Sequence, residues 1–123
     1  MTVSKIDGIV IAGNRIGRQL GVPTANIALD QSDNTENGVY AARTTINGKE
    51  YDAVANIGCK PTIDHNYTKR GAEIHIIGWS GDLYGQTIEV ELTQKIREEQ
   101  RFDSLDALKQ QIEADIEYVL NNK

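Results

Sequence analysis

The chain has 123 residues, 39% of them hydrophobic and 25% charged, with a net charge of −5. That length and balance suit a single domain, 1–123, with a modest core, and no apolar run is long enough to span a bilayer. An acidic chain also makes nucleic acid a poor partner, because a phosphate backbone needs a basic face.

Aromatic residues are scarce, at 6%, so aliphatic side chains must fill the core. Met1 to Asp7 lacks the basic-then-apolar pattern of a signal peptide. Cys59 has no second cysteine to pair with. Together these predict a cytoplasmic protein in a reducing compartment.

Ile9-Val10-Ile11, ended by Gly13, reads as a short buried strand. The next segment is unusual. From Gly8 to Leu29 the charged residues are Arg15 and Arg18 alone, a setting hospitable to an anion. Gly13, Gly17 and Gly21 recur at four-residue spacing. Glycine lets the backbone approach a ligand, and successive N–H groups in such a loop cradle phosphate oxygens. The segment is neither a P-loop nor a dinucleotide fingerprint, and an irregular loop is the plain alternative. Pro23 then fixes the backbone before Thr24 and Asn26, whose spacing puts them on one side of a strand. A hydroxyl and an amide carbonyl are hard oxygen donors that suit Mg²⁺, whose shell is usually completed by water and phosphates.

Further along, Asp30 to Asn37 reads as a long loop. Gly38 to Ile46 and Glu50 to Ile57 are β-prone runs joined by Asn47-Gly48, a strong hairpin signal. Lys60 to Gly71 reads as a second long loop, and Ala72 to Trp79 as a strand closed by Ser80-Gly81-Asp82. Within it, Glu73 and His75 face away from Ile74 and Ile76. Thr87 to Ile96 alternates, with Ile88, Val90 and Leu92 on one face and Glu89, Glu91 and Thr93 on the other. The period then changes. Leu105, Leu108, Ile112, Ile116, Val119 and Leu120 share a helical face, with Asp103 or Ser104 as the cap. Short strands followed by one terminal helix predict a small closed barrel, which removes exposed sheet edges.

Gly17-Arg18, Leu20-Gly21 and Pro23-Thr24-Ala25-Asn26 resemble the signature of riboflavin kinases. Later blocks follow in the same order: Gly38-Val39-Tyr40, Ala55-Asn56-Ile57-Gly58, Pro61-Thr62, Glu73-Ile74-His75-Ile76, Asp82-Leu83-Tyr84-Gly85, Ile96-Arg97-Glu98-Glu99 and Phe102-Asp103-Ser104-Leu105. The resemblance runs from Gly8 to Asp115. Gly78 and Trp79 depart from it, standing where many bacterial members have an acidic residue and phenylalanine.

The resemblance implies a mainly β fold, a six-stranded Greek-key antiparallel barrel with a C-terminal helix. It implies phosphorylation of riboflavin to FMN, with ATP as co-substrate and Mg²⁺ as cofactor, by a monomer. Carried over by position, Thr24 and Asn26 are the metal- and phosphate-binding pair, and the glycine loop, with Gly13, Gly17, Arg18 and Gly21, is expected to hold the nucleotide phosphates. Glu73 is the catalytic base, and Arg97 and Glu99 belong to a loop that closes over the flavin. In bacteria this domain is usually one half of a bifunctional enzyme that also adenylylates FMN, and no histidine motif for that second activity precedes Gly8. A flavin-binding sensor that does not turn over is the competing reading. The presence of Thr24, Asn26 and Glu73 weighs against it.

Overall fold

A computed structural model describes residues 4–11, 24–30, 32–61, 68–100 and 102–122, with the backbone alone at 59–61, 68 and 69. Six strands form a closed antiparallel barrel: β1 (Ser4–Ile11), β2 (Thr24–Ala28), β3 (Gly38–Ile46), β4 (Lys49–Pro61), β5 (Thr68–Ile76) and β6 (Thr87–Arg97). A single helix, α1 (Leu105–Asn121), follows them among the described residues. The order around the barrel is β1-β2-β5-β4-β3-β6. Strands β3, β4 and β5 run as a meander and β2 returns beside β5, which is the Greek-key connection. No helix of the described residues is long and apolar enough to cross a membrane.

Period-two alternation decides which face each strand buries. Ile27, Ala53, Ala55, Ile57, Ala72, Ile74, Val90 and Leu92 point inward and are almost wholly buried. Alanines on β2, β3, β4 and β5 let a narrow barrel close around larger isoleucines. Leu83, from the β5–β6 connection, joins this core, and Gly85 N–H donates to the Val10 carbonyl to hold that connection against β1. The Asn47-Gly48 hairpin forms as expected, with φ of 52° and 83° and Ile46 opposite Lys49. Both central residues take the positive φ that the tight hairpin turn demands.

Several strand ends differ from the expected ones. Strand β1 begins at Ser4 because Ser4 to Ile9 pair with β6 in unbroken register. Of the expected loop Lys60 to Gly71, residues 60, 61 and 68–71 belong to the ladder, with Pro61 opposite Thr68, and residues 62–67 lie outside the described residues. Strand β5 therefore starts earlier than Ala72, and it ends at Ile76 ahead of Gly78, whose φ is 79°.

A second, smaller cluster lies outside the barrel. Val39, Ala41 and Val54 on the outer faces of β3 and β4 pack with Val119 of α1, with Ile77, Ile96 and Ile116 around them. Ser104 is the helix cap, its hydroxyl accepting from Ala107 N–H at 3.1 Å. The buried stripe of α1 is narrower than its apolar pattern. Ile112 and Val119 are buried, whereas Leu105 and Leu120 are exposed. Between the two buried residues sits Asp115, only 5% exposed. The buried positions run from Ile112 to Val119; Leu105 lies almost two turns before them, and Leu120, next to buried Val119, faces away around the helix.

Candidate active site

The outward faces of the same strands carry the polar groups. Antiparallel pairing places Asn26 of β2 opposite Glu73 of β5, and Glu73 opposite Asn56 of β4. Asn56 in turn stands opposite Val39, and Val39 opposite Arg97 of β6. Residues directly across an antiparallel pair share a face, so this is a continuous row over five strands. The next row pairs Thr24 with His75 and His75 with Val54. Thr24 and Asn26 therefore stand side by side with His75 and Glu73. The spacing in sequence predicted that Thr24 and Asn26 share a side, and that Glu73 and His75 do. Pairing of β2 with β5 brings the two couples together.

Glu73 is 22% exposed at its side chain, and His75 only 6%. The His75 Nε2 lies 3.4 Å from Glu73 Oε1. Two polar atoms near this couple are buried without a hydrogen-bond partner among the described residues: Asn56 Oδ1 and His75 Nδ1. Buried polar groups are usually satisfied, so unpaired ones beside a carboxylate mark a place built for something other than stability.

Next along the outer face of β4 comes Gly58. A Cβ there would collide with the carboxylate of Glu99, so the missing side chain makes room for that group. Glu99 thus folds back over the sheet two positions from Asn56. The segment that carries it is fastened on both sides. Arg97 Nε and Nη2 donate to the Asp115 carboxylate at 3.1 and 2.8 Å, and Arg97 Nη1 donates to the Glu98 carbonyl at 3.1 Å. Lys95 Nζ pairs with Glu98 at 2.6 Å and with Glu36 of the β2–β3 loop. Those hydrogen bonds, Glu36's first and then Glu98's, hold the Lys95 ammonium well above the usual lysine range.

The β2–β3 loop is itself held by Arg70, which donates to Asn37 Oδ1 at 3.1 Å, to the Asp33 carbonyl at 2.9 Å and to the Thr35 carbonyl. Tyr40 donates its hydroxyl to the Glu36 carbonyl at 2.6 Å, and burial pushes its phenol above the usual tyrosine range.

Of the residues expected at the site, Thr24, Asn26 and Glu73 meet on one face, and Glu99 lies beside them. Arg97 is the last residue of β6 rather than part of the following loop, and its guanidinium is engaged by Asp115. Gly13, Gly17, Arg18 and Gly21 lie outside the described residues. Sequence reasoning assigned no role to Asn56, Gly58 or Asp115. Asn56 and Gly58 were visible only as members of a family block, and Asp115 was hidden in a helix read by its apolar positions. His75 lies buried within reach of Glu73.

Among the described residues no three His, Cys, Asp or Glu side chains cluster tightly enough to hold a metal unaided. Thr24 and Asn26 are neutral oxygen donors on one face beside a carboxylate. That set fits a hard cation whose remaining ligands come from a nucleotide.

A family model described as riboflavin kinase (flavokinase) matches residues 2–122. The chain is 46% identical over 114 residues to a bifunctional riboflavin kinase/FMN adenylyltransferase of Haemophilus influenzae, covering 92% of this chain and 36% of that protein. It is 44% identical over 114 residues to an RNA-binding riboflavin kinase, RibR, of Bacillus subtilis, covering 93% of this chain and 49% of that one. The solved structure of a riboflavin kinase from Trypanosoma brucei superposes with a TM-score of 0.63 at 25% identity, covering 95% of this chain and 77% of that chain. The chain thus spans between about a third and a half of the curated relatives it matches.

Proposed function

The chain belongs to the riboflavin kinase family, and from that premise we propose that it transfers the γ-phosphoryl group of ATP to the 5′-hydroxyl of riboflavin, giving FMN and ADP. The observation that carries the reading is the cross-strand row Asn26–Glu73–Asn56 with Thr24 on the same face. It puts a carboxylate between neutral oxygen donors on a rigid sheet.

Phosphoryl transfer asks the protein for positioning and charge neutralisation more than for covalent chemistry. Glu73 accepts the hydroxyl proton as the riboflavin oxygen attacks the γ-phosphorus and the bond to the ADP oxygen breaks. Thr24 and Asn26 hold Mg²⁺, which when bound neutralises phosphate charge. Gly13, Gly17, Arg18, Gly21 and Asn26 hold the nucleotide phosphates. Glu99 meets the flavin, and Arg97 shapes that part of the site by holding the chain on either side of Glu98 against α1. Because the site is a set of neutral donors and one base, metal affinity comes mainly from nucleotide phosphates.

We read 1–123 as one domain acting as a cytoplasmic monomer with riboflavin and ATP as partners. The net charge of −5 supports a reading without nucleic acid. The test is incubation with riboflavin, ATP and Mg²⁺ followed by chromatography. FMN should appear, and should stop appearing when a chelator removes the metal. Binding of riboflavin with no FMN formed would instead make the domain a flavin sensor.

A further inference from the structure

We infer that His75 is a positioning residue for Glu73: its Nε2–H holds the carboxylate in the orientation needed to take a proton from the substrate hydroxyl. The inference rests on Glu73 being the base, and goes beyond it by naming what aims it.

His75 is 5% exposed and occupies the outer row between Thr24 and Val54. Its Nδ1 is buried without a partner among the described residues, while its Nε2 lies 3.4 Å from Glu73 Oε1. A proton on Nδ1 would be a buried donor with no acceptor among the described residues, which costs the full desolvation of that group. A proton on Nε2 has a carboxylate to go to. The surroundings therefore select the Nε2–H tautomer and aim it at Glu73. At 3.4 Å the contact is long for a hydrogen bond, and such contacts tighten when substrate completes the site. The Glu73 side chain is 22% exposed on the outer face of β5. A donor fixed by burial, one turn of the pleat away, restricts its rotamers without touching substrate.

The experiment has a spectroscopic arm and a kinetic arm. The chain holds only two histidines, His65 and His75, so imidazole nitrogen resonances are readily assigned with a His65→Gln variant. Long-range ¹⁵N–¹H spectra should show His75 as the Nε2–H tautomer, with its Nε2 resonance moving in Glu73→Gln. The Nδ1–H tautomer would overturn the inference, whether or not the protein makes FMN.

In the kinetic arm, His75→Phe should lower kcat about 10-fold, the scale on which an outer-shell partner acts. KM for ATP should stay within about 2-fold, because nucleotide contacts are untouched. His75→Gln, which keeps an N–H near the reach of Nε2, should recover most of the loss, and His75→Asn, whose N–H stops short, should not. This pair decides the matter even if His75→Phe folds poorly, since both are polar and smaller than histidine. In a Glu73→Gln background the phenylalanine change should have no further effect on kcat. Equal losses in both backgrounds, or equal activity of the Gln and Asn variants, would make His75 a packing residue. Absence of FMN from the wild type would sink the kinase reading instead, leaving the tautomer result to judge the pairing.

Discussion

The two faces of β5 are woven from alternate residues and answer to opposite demands. Inward, Ala72, Ile74 and Ile76 are at most 5% exposed and lie in the main core. Outward, Glu73 and His75 sit among Thr24, Asn26 and Asn56, and two polar atoms of this group, His75 Nδ1 and Asn56 Oδ1, have no hydrogen-bond partner among the described residues. The inner face satisfies every packing rule and offers no chemistry. Polar groups are left unpaired on the outer face, and there the chemistry is read. Strand geometry alone separates stability from function here, because neighbours in sequence are on opposite sides of the sheet.

That separation can be broken from either side. The largest expected effect is on the inner face. Ile74→Ala empties a wholly buried site and should cost about 3 kcal/mol of stability. Thermal or denaturant unfolding measures it, and the folded fraction should keep a near-normal kcat. One residue away, Glu73→Gln should lower kcat by about 100-fold, on the order of 2.7 kcal/mol of barrier. Its melting temperature should barely move. If the two variants exchanged these phenotypes, the division of the strand would be wrong.

Asp115→Asn tests the tie between α1 and β6. Arg97 keeps its charge and loses its carboxylate partner in a half-buried setting, so about 2 kcal/mol of stability should go. Denaturant unfolding reports the loss, and KM for riboflavin should rise as the Glu98–Glu99 segment loosens. The smallest effect is expected from Gly58→Ala. Its new methyl group displaces the Glu99 carboxylate and should raise KM for riboflavin about 5-fold, on the order of 1 kcal/mol, with unfolding unchanged. A normal KM in that variant would mean that Glu99 does not meet the flavin.

How much of this was legible in the sequence follows the same division. Alternation in Thr87 to Ile96 and the Asn47-Gly48 turn are local signals, and both held, because a half-buried strand and a tight hairpin are specified by neighbours in sequence. The register between β2 and β5 is not local. Nothing in Thr24 or His75 alone says that they will stand opposite one another. The helix illustrates the same limit. Six apolar positions suggested a broad buried stripe, yet burial falls on Ile112 and Val119 and includes a paired carboxylate, Asp115, between them. Asn56 and Gly58 gain meaning only from what lies across from them or above them. Family blocks had flagged both positions without saying why.

The account's central claim is that substrate and nucleotide meet the outer row of β2, β5 and β4. The direct measurement is an amide NMR titration of the wild-type chain with Mg²⁺-ADP and riboflavin. Thr24, Asn26, Asn56, Glu73, His75 and Glu99 should show the largest shifts among the described residues. A different cavity of about 390 Å³ lies between the end of α1 and strands β3 and β6, lined by Arg43, Gln94 and Tyr118 among others. Shifts concentrated around those three residues, with the outer row unmoved, would contradict the account.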